Sequence, residues 1–263
     1  MRGSIFSSTG RPRGALRDVG RRASTKASVA SALVCALATF GCGASSTGAA
    51  APPDDAGQGL PPPETGGAVM GTNPYGVPYP TNNIGFDARK GSIPGNQIQN
   101  YKFLGYPGGD VSKGIQTISL ADFYDPEGKL GYKLLHLGVA AVWCTPCNEE
   151  TQATVPLIPG FLKQGVVFAQ ALDDGATMGT GATPADLMSW INKYHSNFTE
   201  MLDPGNMNLG MFFNAAAVPW NAIIDARSME ILTANVGYSG DLQGDVSPWL
   251  TWVANNPPSY PAP

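Results

Sequence analysis

The stretch that decides the fold is KLLHLGVAAVWCTPCNEE, residues 133–150. It opens on a nearly continuous apolar run, residues 133–143, of the kind a strand shows when it is buried on both faces. The run ends at a tryptophan and two cysteines three positions apart, Cys144 and Cys147, with Pro146 between them. Proline is tolerated in the first turn of a helix, where its missing N–H has no partner to lose. A buried strand therefore passes straight into a helix start at the cysteines. If the helix begins between them, both sulfurs lie on one side of its first turn. The unpaired N–H groups and partial positive charge of that turn then favour a thiolate at Cys144. The pair could be a redox dithiol, half of a metal site or a structural staple.

Working outward, residues 116–124 give a short strand and turn. A helix from about Pro146 is expected to break or bend near Pro156 and Pro159. Residues 165–174 (GVVFAQALDD) form a second buried strand. In TPADLMSWINKYHSNF, residues 183–198, Thr183 and Asp186 stand where a capping box needs them and Pro184 fits the first helical position. Leu187, Trp190, Ile191, Tyr194 and Phe198 make its apolar stripe. Residues 221–238 give two strands joined by a turn at 226–228, and a closing helix follows with Ser247 as its cap. The order strand, helix, strand, helix, strand, strand, helix predicts an α/β fold, a central mixed sheet flanked by helices on both faces.

Upstream the composition changes. Residues 1–41 hold seven of the sixteen basic residues and a single acid, Asp18; the remainder carries nine basic and nineteen acidic residues. A surface that acidic repels phosphate backbones, so nucleic acid is not an expected partner. After Lys26 comes ASVASALVCALATFGCG, residues 27–43, an uncharged run too short for a comfortable membrane span and suited to a signal-peptide core. Residues 43–72 are almost all Gly, Ala, Pro, Ser, Thr and acids and cannot bury a core. Such a tether places a domain on the order of 30 Å from its anchor. Residues 73–115 are expected to be an irregular arm lying over the domain, with short strands at best, and 256–263 a tail.

The end of the uncharged run, LATFGC, resembles a bacterial lipoprotein cleavage site, with Thr39 where that class prefers leucine. The resemblance implies that Cys42 becomes the lipidated first residue and anchors the chain to a membrane outside the cytoplasm. Gly43 in place of an acid points to the outer membrane by the same analogy. Cleavage elsewhere, or an uncleaved anchor, are the alternatives. Cys35 lies in the removed segment, which leaves Cys144 and Cys147 as the cysteines of the folded part; a stapled scaffold needs more.

WCTPC after an apolar strand resembles the active site of the thioredoxin superfamily, and Val218-Pro219 ahead of a strand resembles its cis-proline loop. The spacing from Cys147 to Pro219, and Glu150 three residues after Cys147, are similar to the exported, membrane-anchored branch that serves cytochrome c maturation. The resemblance covers residues 116–255 and implies a thioredoxin-like fold. Cys144 would be the exposed nucleophile and Cys147 the shielded resolving thiol, with Pro219 and Glu150 beside them. Trp143, Val218 and Trp220 would face the substrate. It also implies a protein disulfide as substrate, a membrane electron donor or redox partner, and no cofactor. Gly138 departs from the pattern, because the family places a buried acid or asparagine there; Glu150, or less directly His136, is the substitute. Rival readings are copper transfer using Met201, Met207 and Met211 as further soft ligands, a peroxidase, and a binding-only lipoprotein. His136 and His195 are the only histidines, too few to complete a structural zinc site.

Overall fold

The structure is a computed structural model that describes residues 69–80, 94–213 and 217–256. The basic start, Cys35, Cys42, most of the expected tether and the tail beyond Asn256 lie outside the described residues.

Among the described residues, seven strands form one sheet: β1 (Lys102–Tyr106), β2 (Gln116–Ser119), β3 (Leu134–Ala141), β4 (Val166–Asp174), β5 (Thr199–Leu202), β6 (Trp220–Asp225) and β7 (Glu230–Val236). Their order across the sheet is β2-β1-β5-β4-β3-β6-β7. The central strand β3 runs parallel to β4 and antiparallel to β6. Every residue of β3 and β4 is buried, as expected of mostly apolar runs covered on both faces.

Four α-helices are present among the described residues: α1 (Thr145–Thr154), α2 (Ile158–Gln164), α3 (Pro184–Tyr194) and α4 (Leu242–Asn255). The break expected near Pro156 and Pro159 is a single 3-10 turn, Val155–Leu157, between α1 and α2. The capping box of α3 forms, with the Thr183 hydroxyl accepting from the Asp186 N–H. No helix among the described residues is long and apolar enough to cross a membrane.

Helical elements flank the mixed sheet on both faces, but they differ in kind. On one face Leu134, Phe168 and Ile223 pack against Ile158 and Phe161 of α2 and Leu242, Val246 and Val253 of α4. Beside them Ala140, Leu172 and Leu202 pack against Leu187, Trp190 and Ile191 of α3 and against both cysteines. The other face, with Leu135, Leu137, Val139, Trp220 and Ala222, is covered by Tyr79, Ile98, Tyr101, Phe103 and Tyr124 and by Leu209 and Phe212. Among the described residues its helical cover is 3-10 turns at Leu120–Phe123 and Gly210–Phe212. Pro204, Gly205 and Gly210 lie in the β5–β6 connection, and such residues oppose a long helix.

Three expectations need correction. The stretch taken as an irregular arm contributes β1 to the interior of the sheet, so regular structure begins at Lys102 rather than Gln116. The third helix stops at Tyr194, because His195 takes a left-handed conformation (φ 54°). Phe198 is thus off the helix, yet buried against Phe168, and β5 follows at once. The last helix starts at Leu242, capped by the Asp241 carboxylate on the Gly244 N–H, and Ser247-Pro248 lies inside it.

Candidate active site

Strand β3 carries the chain to a tight turn in which the Cys144 N–H donates to the Ala141 carbonyl. Cys144 is then the N-cap of α1, its sulfur accepting the Cys147 N–H at 3.1 Å. A sulfur that receives a helix-start N–H is held where negative charge is stabilised. Cys144 and Cys147 are joined, with an S–S distance of 2.13 Å and Cα atoms 5.3 Å apart. Asn148 locks the turn: its Nδ2 donates to the Cys144 carbonyl at 2.6 Å, and its Oδ1 accepts from Lys193 and Tyr194 of α3.

The peptide bond between Val218 and Pro219 is cis. It brings the Val218 carbonyl oxygen to 3.5 Å from the Cys144 sulfur. The Pro219 carbonyl turns the other way and accepts the Gly237 N–H at 2.8 Å, fixing the loop to the end of β7. Trp143 flanks the pair, its indole N–H donating to Asp174 Oδ2 at 3.0 Å. Cys144, Cys147, Trp143, Val218 and Pro219 are thus brought together.

Two of the expected exposures are corrected. Cys144 is 2% exposed and Cys147 fully covered, so in this oxidised state the first cysteine is no more open than the second. Val218 and Trp143 pack on the cluster that holds both sulfurs and supply the cover. Trp220 does not form a rim. It is 1% exposed and stacks on Phe213 on the opposite face of the sheet, in phase with Ala222 and Ile224. That alternation was present in the sequence and outweighs proximity to Pro219.

Glu150 lies on α1 three residues after Cys147, on the same side of the helix. It is buried; Oε1 accepts from Asn221 Nδ2 at 2.8 Å, and Oε2 has no protein partner. Burial pushes its carboxyl up to about 8, the Asn221 donation pulls the other way, and the charge of Asp245 adds to the rise. Asn221 was not singled out from the sequence. It is the polar residue out of step with Trp220, Ala222 and Ile224, which marks it as facing the α1 side. Directly opposite it in the ladder is Gly138. Gln170 on β4 is Gly138's other neighbour, and its Oε1 accepts from Thr151 of α1 and Trp190 of α3.

His136 does not join this group. It stacks on Phe168 at 4.8 Å, and burial holds its imidazole down at about 4, so it is neutral near pH 7. His195 is an exposed helix end. Among the proposed soft ligands, Met201 is buried in the cluster on the other face from the cysteines, which removes it from any site with them. Met207 and Met211 are exposed, and the Met211 sulfur accepts from the Tyr101 hydroxyl. Among the described residues, no group of three or more His, Cys, Asp or Glu side chains could hold a metal ion.

The parallel β3–β4 pair, the antiparallel β3–β6–β7 ladder, a disulfide at the β3–α1 junction and a cis X–Pro bond before β6 make this a thioredoxin-like fold. No family model matches the chain, and no curated protein matches it. Solved structures similar to it include the thioredoxin domain of a thiol-disulfide oxidoreductase from Bacteroides vulgatus, at 16% identity and TM-score 0.45, covering 60% of this chain and 97% of that one. A putative thiol:disulfide interchange protein DsbE from Chlorobium tepidum matches at 17% identity and TM-score 0.43, over 64% of this chain and 97% of that one. AhpC from Enterococcus faecalis matches at 12% identity and TM-score 0.47, over 64% and 96%.

Proposed function

We propose that this protein is an extracytoplasmic thiol–disulfide oxidoreductase that reduces protein disulfides through Cys144 and Cys147. One observation carries the reading: a bonded Cys-Thr-Pro-Cys pair at a helix N-terminus, 3.5 Å from the carbonyl of a cis-proline loop. In the reduced protein the Cys144 thiolate attacks one sulfur of a substrate disulfide. The substrate's S–S bond breaks, a substrate thiolate leaves, and a mixed disulfide forms. Glu150 then accepts the proton of Cys147, whose thiolate attacks Cys144 and expels the second substrate thiolate. The product is the Cys144–Cys147 bond, and a dithiol donor on the membrane resets it. Val218 offers its carbonyl to an extended substrate segment beside the sulfurs, with Pro219 holding the loop and Trp143 flanking it.

The basic start, the short uncharged run and Cys42 support export and lipid anchoring on the periplasmic side, with the outer membrane favoured by Gly43. A stable disulfide suits such a compartment. The mass of the mature chain's first peptide tests the anchor: an acylated Cys42 is expected, and an unmodified one rejects it.

The deciding measurement is the reduction potential of the pair against a glutathione or dithiothreitol series. A value at or below about −270 mV supports the reductase, and one near −120 mV reverses the direction. Cys144→Ser abolishes exchange in either case; retained turnover would remove the dithiol from the mechanism.

A further inference from the structure

We infer that Asn221 is the positioning residue for Glu150 and that Gly138 is the gap that admits it; this rests on the dithiol reading above. Asn221 and Gly138 face each other across the β3–β6 ladder. A Cβ at Gly138 would lie 3.2 Å from Asn221 Oδ1, closer than ordinary contact. The missing side chain on β3 therefore leaves the amide of the neighbouring strand room to sit where it reaches the Glu150 carboxyl. Both Asn221 and Glu150 are buried, at 8% and 5% exposure.

The amide does two things at once. By donating to Oε1 it fixes the carboxyl's orientation, so that Oε2, which has no protein partner, is the oxygen left to take a proton. By favouring the ionised form it also lowers the pH at which Glu150 can act as a base. The other charged or titratable groups near it are Asp245 of α4 and Tyr238 in the β7–α4 connection. Asp245 works against ionisation, and the ion pairs Lys113–Asp110, Lys129–Glu127 and Arg227–Asp225 do not include Glu150. Asn221 is the one group here that pulls the carboxyl towards its basic form.

The test uses the reduced full chain and 5,5′-dithiobis(2-nitrobenzoate). Attack by Cys144 releases one coloured thiolate, and resolution by Cys147 releases the second. The second phase is followed from about pH 6 to about pH 10. Asn221→Leu removes the donor at similar bulk and should move the midpoint of this phase up by about one pH unit. That is roughly tenfold slower below the midpoint, from the worth of one hydrogen bond to a charged group. Gly138→Ala pushes the amide aside without removing it and should move the midpoint the same way by less. It serves if Asn221→Leu fails to fold, as judged by thermal melting. An unchanged midpoint in the folded variants, with only the amplitude scaled, overturns the inference. Glu150→Gln separates the two claims: if it leaves the profile intact, the proton-acceptor role of Glu150 itself is wrong; if it removes the limb while Asn221→Leu does nothing, only the positioning role falls.

Discussion

Glu150 and Glu200 are the same residue under the same physical pressure. Both are buried, each has one oxygen hydrogen-bonded and one without a protein partner, and burial pushes both carboxyls up to about 8. They differ in what they join. Glu200, on β5, accepts from the Ser196 hydroxyl four residues away and ties the end of α3 to its own strand. Glu150 accepts from Asn221, 71 residues away, and stands one helical turn from Cys147. A raised carboxyl therefore records chiefly desolvation and does not by itself mark a base. Reach to a reacting atom is what turns it into a base.

The largest difference should show in exchange kinetics. At pH 9, Glu150→Gln should slow resolution by Cys147 about a hundredfold, the usual worth of a positioned base. Glu200→Gln should stay within about twofold. Equal losses in both would erase the distinction.

In stability the two should behave alike. A carboxyl raised from 4.5 to about 8 in the fold binds more protons folded than unfolded between those values. The protein therefore loses stability as pH rises through that window, and below it the site costs nothing. Either Gln variant should gain up to about 5 kcal/mol over the parent at pH 9 and nothing at pH 4, read by urea unfolding. A gain for one alone would show that the other is wetter than its burial implies. The smallest effect falls on the Glu200 side: Ser196→Ala removes its one donor and should cost about 1 kcal/mol in thermal unfolding with no change in exchange rate. A matching kinetic loss would link Glu200 to the sulfurs after all.

Much of the site was legible because its chemistry is local. Strand, turn, Cys144, Pro146 and Cys147 are contiguous, and helix-start physics places both sulfurs without knowledge of the rest. Val218-Pro219 was legible as a motif. Asn221 was not, because its meaning depends on a neighbour across the ladder: Gly138 looks like a loss of function on its own strand until the residue opposite is known. Trp220 went astray for the converse reason, since nearness in sequence to Pro219 was weighed above strand alternation. Among the elements, the long β3 and β4 runs were readable, whereas β1 and β5 are five- and four-residue strands whose order in the sheet comes from partners far away. Ser247-Pro248 resembles a helix start and sits within a helix begun earlier by Asp241.

The pairing of the N-terminal arm with β7 sets an order of assembly. Gly95 and Ile98 donate to the carbonyls of Ile231 and Met229, and Gln97 reaches the Ser228 carbonyl 131 residues further on. A ribosome makes the arm well before its mate, 131 residues earlier in the case of Gln97 and Ser228. Tyr79, Ile98, Tyr101 and Phe103 must therefore wait, without their finished seat, through the synthesis of nearly the whole domain. Closing the sheet's second face is a late event in the life of each chain, and a chain interrupted before Met229 carries an apolar strap with no edge to fasten it to.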